Sequence, residues 1–170
     1  MSEATTAVQE PTLAPVPTPA QVRETLQMMV GRTVLVTDAG WAPPEGDEPV
    51  AIASFIDDSD VLRACAWVDL AGAAALGAAM SMLPTTRLEE MMATGELDEE
   101  VYDNLHETFN IASALLNTET SVHVRIRELE RPDTGISEDL LDLLADPRAG
   151  GYYQLDVEEY GGGTLSFTLG

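Results

Sequence analysis

The spacing of apolar residues along the chain alternates between two periods, which predicts a mixture of helices and strands. The first helical segment carries Val22, Leu26 and Met29 on one face, at intervals of four and three residues. Thr18 precedes this segment and is followed three residues later by Gln21, which is a capping-box pair. We therefore predict a helix that begins just after Thr18 and ends at the first glycine that follows.

Runs rich in β-branched residues, bounded by turn-forming residues, predict about six strands. They cover residues 34–36, 50–56, 61–68, 122–127, 152–158 and 164–169. Most connections between them resemble hairpins, and Gly161, Gly162 and Gly163 are predicted to form the last turn. The predicted fold class is α/β of the α+β kind, with a largely antiparallel central sheet of about six strands flanked by helices.

Further helices are predicted between these strands. An alanine-rich helix follows Asp69, a helix-capping residue, and ends ahead of Pro84. The others cover residues 87–93, 98–116 and 137–145. The pairs Met28–Met29 and Met91–Met92 fall within predicted helices, and we expect them to fill gaps in the core.

The N-terminal segment differs in composition from the rest of the chain. Residues 1–17 are rich in Ala, Pro and Thr, and they lack the basic start and apolar core of a signal peptide. They are predicted to form a disordered tail ahead of a single domain at residues 18–170. Residues 41–47, which contain two prolines and a glycine, are predicted to be a turn.

The charge balance excludes several classes of function. The chain has 30 acidic residues and 8 basic ones, all of them arginine, for a net charge of −22 at pH 7. Such a charge repels phosphate backbones and anionic lipids, so neither nucleic acid nor a membrane is an expected partner. The lack of lysine excludes a P-loop lysine and a Schiff base, and the single cysteine, Cys65, excludes an internal disulfide. No apolar stretch reaches the roughly 20 residues that span a bilayer, so a cytoplasmic location is expected.

The predicted helix at residues 98–116 has two distinct faces, at about 100° per residue. Its apolar stripe, predicted to face the core, consists of Val101, Leu105, Phe109, Ala112 and Leu116. Asp103, Glu107 and Asn110 lie together on the opposite face. In a chain this acidic, periodicity alone indicates only a solvated surface there.

Spacing adds information that periodicity lacks. Asp103, Glu107 and Asn110 are followed, after 21 intervening residues, by Pro132. The pattern resembles the active-site signature of the CheC/CheX/FliY family of response-regulator phosphatases, and CheX-like members in particular. The resemblance implies a pseudo-two-fold domain that hydrolyses the aspartyl phosphate of a CheY-like receiver, in chemotaxis or another two-component pathway.

The resemblance also implies a role for each residue of the signature. Asn110 would position the attacking water with its carboxamide, and Glu107 would dock the lysine of the receiver. Asp103 would support them, and Pro132 would shape the neighbouring loop. The Mg²⁺ of the reaction would belong to the receiver, so this chain needs no cofactor. His106–Glu107 begins a near match to a zinc motif, but Asn110 replaces the second histidine, and no metal site is expected.

The first predicted helix contains an echo of this signature. Glu24 and Gln27 are predicted to face outward and are spaced like Glu107 and Asn110, and Pro49 again follows after 21 intervening residues. The resemblance implies two such helices, and glutamine retains the carboxamide at a greater reach. We interpret Glu24 and Gln27 as a degenerate second site, with an ordinary amphipathic helix as the alternative.

Two other hypotheses remain open at this point. One is a non-catalytic module of the same fold that binds a receiver or a flagellar switch component, and the other is an acidic scaffold without a role in signalling. CheX-like relatives dimerise, whereas CheC-like ones act alone or with the deamidase CheD. The resemblance therefore leaves open a homodimer, a CheD-like partner and the subfamily.

Overall fold

The computed structural model describes residues 12–40 and 48–170. The elements in these ranges are α1 (Pro19–Val30), β1 (Val34–Gly40), β2 (Pro49–Asp57), β3 (Leu62–Asp69), α2 (Leu70–Met80), α3 (Thr85–Thr94), α4 (Glu99–Ala112), a 3₁₀ turn (Ser113–Leu116), β4 (Val124–Glu130), α5 (Glu138–Ala145), β5 (Ala149–Val157) and β6 (Gly161–Leu169). The predicted turn at residues 41–47 and residues 1–11 of the predicted tail lie outside the described residues. The predicted α+β class is confirmed.

The strands form one antiparallel sheet in the order β1-β5-β6-β3-β2-β4. The chain divides into two similar units, α1-β1-β2-β3 and α4-β4-β5-β6. Exchanging the corresponding strands of these units only reverses the strand order, so the sheet has the predicted pseudo-two-fold arrangement. The prediction that most connections are hairpins is wrong, because among the described strands only β2–β3 and β5–β6 are hairpin pairs. The first strand of each unit instead pairs with the second strand of the other unit.

The helices divide unequally between the two faces of the sheet. Helices α1, α2 and α4 cover one face and enclose the larger core cluster. Helix α5 covers part of the other face, where the smaller cluster consists of Ile52, Cys65, Trp67, Leu140 and Leu143. Burial raises the pKa of the Cys65 thiol to about 12, so it stays protonated and inert, as expected for a core residue. None of the helices in the described ranges combines the length and the apolar character that a membrane span requires.

Glycines allow α2 to approach both the sheet and α4. A Cβ atom on Gly77 would lie 2.5 Å from Cγ1 of Val101 on α4, and one on Gly163 would lie 2.1 Å from the backbone nitrogen of Gly72. The Asp69 carboxylate accepts hydrogen bonds from the backbone N–H groups of Gly72 and Thr164, at 2.8 and 2.9 Å. It therefore caps α2 as predicted and also ties the helix to β6.

This close approach corrects the prediction for the glycine run. Gly161, Gly162 and Gly163 belong to β6 and pair with β5, and the turn is at residues 158–160. A Cβ atom on Gly162 would lie 1.7 Å from the carbonyl oxygen of Leu155. Gly162 and Gly163 are therefore needed for clearance within the sheet and beneath α2, whereas Gly161 has a φ of 79°.

The predicted boundaries of the first helix are confirmed, but those of the domain shift. The capping box of Thr18 and Gln21 begins α1, and Gly31 ends it with a φ of 65°. The prediction placed residues 12–17 in the tail, whereas the structure packs them against the domain. The Tyr153 hydroxyl donates to the carbonyl of Pro17, and the backbone of Val122 donates to that of Thr12 at 2.8 Å. Packing therefore starts before residue 18.

Candidate functional site

Helix α4 presents the predicted signature on its exposed side. The predicted core stripe is confirmed, since Val101, Leu105, Phe109, Ala112 and Leu116 are all buried. Asp103, Glu107 and Asn110 are exposed on the opposite side, as the periodicity predicts. No described residue forms a hydrogen bond or an ion pair with the side chain of Asp103, Glu107 or Asn110. Their polar groups are therefore free to meet a partner.

Two polar residues that the sequence analysis missed hold α4 against α2. The side-chain amide of Asn104 donates to the carbonyl of Gly77 at 2.9 Å and to the Ser81 hydroxyl at 2.7 Å. Thr108 is buried, and its hydroxyl lies 3.0 Å from the sulfur of Met80 on α2 while it also donates to the carbonyl of Asn104 at 2.8 Å. The signal available in the sequence was an Asn and a Thr four residues apart beside the apolar stripe. Both are poor helix formers, so their presence within a helix indicates a structural contact. They fix the rotation of the helix and hence the direction of its exposed face.

The start of α4 is held by the turn that contains Pro132. The Arg131 guanidinium bonds both carboxylate oxygens of Glu99 at 2.8 Å and lies over the ring of Tyr102, 3.5 Å from its centroid. The hydrogen bonds from Arg131 lower the pKa of Glu99 below its usual range. Pro132 thus follows β4, as predicted, and lies beside the first turns of the helix.

Acidic groups dominate the electrostatics of this face. Glu99 and Glu100 lie in the first turn of α4, where the helix dipole favours negative charge. Glu107 lies one turn before Asn110, a spacing that brings side chains on a helix into neighbouring positions. The arrangement offers a carboxylate for a cation next to a neutral carboxamide that can orient a polar molecule.

In the first unit, Glu24 is exposed but Gln27 is used structurally. Gln27 is half-buried, and its Oε1 accepts a hydrogen bond from the backbone N–H of Val34, the first residue of β1, at 3.2 Å. The prediction that both residues face outward is therefore wrong for Gln27. Its carboxamide oxygen satisfies a strand N–H, and this hydrogen bond directs the side chain towards β1.

The second unit gives this structural role to a different residue. The Asn117 side chain accepts from the backbone N–H of Val124 at 2.8 Å and donates to the carbonyl of Val124 at 2.9 Å. Val124 begins β4, so Asn117 holds the start of β4 as Gln27 holds the start of β1. Each precedes its strand by seven residues. Asn110 lies seven residues further back, and its side chain is left free.

The two prolines that share this spacing occupy different positions in the fold. Pro49 is the first residue of β2 and is paired with Asp69, whereas Pro132 lies in the turn after β4. The same spacing of 21 residues reaches different points because the second unit has the longer connection between helix and strand. The described residues contain no group of three or more His, Cys, Asp or Glu placed to hold a metal ion, and His106 is exposed.

The chain was compared with known families, proteins and structures, and only structures gave matches. Neither a protein-family model nor a curated protein matches the chain. FliY from Thermotoga maritima is similar in structure, with 14% identity and a TM-score of 0.53 over 87% of this chain and 81% of that one. A chain in the FliM–SpeE complex from H. pylori has 8% identity and a TM-score of 0.60, over 89% and 80%. The chemotaxis protein CheX from Desulfovibrio desulfuricans has 12% identity and a TM-score of 0.46, over 88% and 93%.

The similarities to FliY and to the FliM–SpeE complex identify the fold. The molecule is an α+β protein built from two interleaved units. More particularly, it has the fold of the CheC/CheX/FliY family, which the resemblance of its helix signature predicts. At identities of 14% and 8% this likeness concerns architecture, so the function depends on the residues of the site.

Proposed function

We propose that this protein is a phosphatase that hydrolyses the phosphoaspartate of a receiver domain in a signalling pathway. The observation that carries the proposal is the exposed, unengaged carboxamide of Asn110 on a helix whose opposite face is buried. A rigid helix is the kind of support that holds a small polar group in the position that catalysis requires.

The chemistry asks little of the protein beyond positioning. An acyl phosphate has a good leaving group, so the remaining task is to bring a water molecule in line with the phosphorus. The Asn110 oxygen accepts a hydrogen bond from that water, while its NH₂ group faces the phosphoryl oxygens without adding negative charge. The Mg²⁺ that neutralises the phosphoryl charge belongs to the receiver in this mechanism, and no residue of this chain is assigned to hold it.

Glu107 has a separate task in this proposal. Its carboxylate pairs with the receiver lysine and so places the phosphate beside Asn110. Such a pair gains strength when docking removes water from it, because exposed pairs contribute only about 0–1 kcal/mol. Asp103, one turn earlier, supports the same contact.

The test mixes the protein with a panel of phosphorylated receivers and follows phosphate release. Asn110→Ala is expected to lose about 100-fold or more of the acceleration, a cost typical of removing one positioned polar group. Glu107→Gln is expected to weaken docking without lowering stability. Glu89→Gln on α3 is the matched control, since Glu89 is also an exposed helical glutamate. An Asn110→Ala protein with full activity would overturn the mechanism.

The second candidate is a non-catalytic module that binds a receiver or a flagellar switch component. The similarity to a chain crystallised in the FliM–SpeE complex favours it, because that chain comes from a complex of two proteins. Here the acidic face would serve binding alone. The same panel separates the candidates, since this module would bind a phosphorylated receiver and leave its rate of phosphate loss unchanged.

A further inference from the structure

A groove lined by methionines lies between the C-terminal ends of α1 and α2. We call it the methionine groove, and its methionines are Met28, Met29, Met80 and Met82. Met28 and Met82 are the most exposed large apolar residues of the described structure, at 73% and 77%. The prediction that Met28 and Met92 fill the core is therefore wrong, since both are exposed, whereas Met91 is buried as predicted.

The fold does not require either exposed methionine. Met82 has a φ of 51°, in the left-handed region where glycine or asparagine is favoured, and its side chain gains no burial to offset that cost. Met28 lies on α1, whose buried residues Val22, Leu26 and Val30 already supply its contact with the core. Flexible, polarisable methionine is a common residue on surfaces that bind partner helices.

The charges on the chain indicate the sign of the partner. The net charge of −22 opposes the approach of a second copy of the chain or of an acidic protein. Glu158 lines the groove, and Glu24 lies one helical turn before Met28. Arg32, which also lines it, is held in an ion pair with Glu159 at 2.9 Å, so its positive charge is locally neutralised.

We propose that the methionine groove binds a cationic amphipathic helix of a partner protein. The apolar face of that helix lies on the four methionines, and its lysine or arginine side chains reach Glu158 and Glu24. This is the helix-in-groove mode of recognition. The proposal does not rest on the phosphatase activity, although Met80 contacts the Thr108 hydroxyl of α4 at 3.0 Å, which places the groove next to the signature helix.

The test uses a fluorescent, 18-residue amphipathic peptide of leucine and lysine, with a scrambled peptide of the same composition as the probe for charge alone. Fluorescence anisotropy at physiological salt measures both affinities. The double change Met28→Gln, Met82→Gln is expected to weaken binding of the amphipathic peptide about tenfold to a hundredfold, because two side chains that the bound peptide covers become polar. Met92→Gln on α3, at a methionine that is 41% exposed, is the matched control and is expected to bind normally.

A second measurement locates the peptide. In protein labelled with ¹³C at the methionine methyl groups, the peptide is expected to shift the signals of Met28 and Met82 but not that of Met92. The proposal is overturned if the scrambled peptide binds as tightly, if Met92→Gln weakens binding as much as the double change, or if the shifts fall elsewhere. It is also overturned if sedimentation finds a dimer that the double change abolishes, since the groove would then hold a second copy.

Discussion

The two helices that begin the two units of the fold use their carboxamides for different purposes. In the first unit, Gln27 on α1 satisfies the backbone N–H that begins β1. In the second unit, Asn117 satisfies the backbone that begins β4, and Asn110 on α4 has no structural task among the described contacts. Asn110 lies seven residues further from its strand than Gln27 does, and this greater separation leaves Asn110 without the structural role. In the first unit the connection between α1 and β1 is short, so the carboxamide of Gln27 itself holds the start of the strand.

The largest expected effect compares the two helices directly. The double change Glu107→Ala, Asn110→Ala is expected to remove at least about 100-fold of the receiver dephosphorylation, roughly 3 kcal/mol in the barrier. The double change Glu24→Ala, Gln27→Ala is expected to retain most of it, because Gln27 is already engaged. Phosphate release at equal enzyme concentration measures both. If the two double changes cost the same activity, the protein has two working sites and the comparison fails.

A smaller effect, on stability, is expected at Asn117, the residue that holds the start of β4. Asn117→Ala removes the partners of both backbone groups of Val124, which is itself buried. We expect a loss of about 2 kcal/mol in the free energy of unfolding, because a buried backbone group is left without a partner. Asn110→Ala, the same change on an exposed side chain, is the control and is expected to change stability by less than about 0.5 kcal/mol. Urea unfolding measures both, and equal losses would contradict the division of roles.

Gln27→Ala is expected to cost less than Asn117→Ala. It removes a single hydrogen bond, to Val34, and places a better helix former in α1. The expected loss is about 1 kcal/mol or less in the same urea experiment. Gln21→Ala would be an unsuitable control because Gln21 belongs to the capping box, so Arg23→Ala, at an exposed position of α1, is preferred. If Gln27→Ala cost no more stability than Arg23→Ala, the structural role of Gln27 would be contradicted.

The smallest effect concerns an ion pair of the second unit and depends on pH. Hydrogen bonds from Arg127, at 2.6 and 3.0 Å, lower the pKa of Asp139 to about 2. The carboxylate therefore stabilises the fold above pH 4, and this contribution is lost as the pH falls towards 2. Because the Asp139 side chain is half-exposed, we expect less than about 1 kcal/mol at pH 7.

The check is urea unfolding of Asp139→Asn and of the original chain between pH 7 and pH 2. The two curves are expected to differ at neutral pH and to converge in acid. Asp142→Asn, on an exposed residue of the same helix, is the control. A difference as large at pH 2 as at pH 7 would show that Asp139 acts through packing and not through its charge.

The sequence predicts α4 more accurately than α1, and the reason is geometric. The buried stripe of α4 remains centred opposite Asn110, at about 100° per residue. In α1 the buried residues are Val22, Leu26 and Val30, spaced by fours, so the stripe drifts by about 40° at each step towards Gln27. The sequence analysis assigns Met29, and not Val30, to the buried face of α1. The choice between the two depends on the position of β1.

Other errors have the same origin, which is that local composition does not specify neighbours. A run of three glycines is typical of a turn, but the strand that contains it passes under α2, where side chains would clash. Methionine pairs are typical of cores, but the core contact of α1 is complete without Met28. The caps of α1 and α2 and the β2–β3 hairpin depend on residues adjacent in sequence, and these were predicted correctly.

The exchange of strands between the two units has a consequence for folding. Because β1 pairs with β5 and β4 pairs with β2, neither unit can complete its part of the sheet before nearly the whole chain is available. Such pairings between distant residues make folding slow, and we expect neither unit to be stable alone. The exposed residues of one unit can therefore change while that unit stays indispensable, because strands of the other unit pair with it.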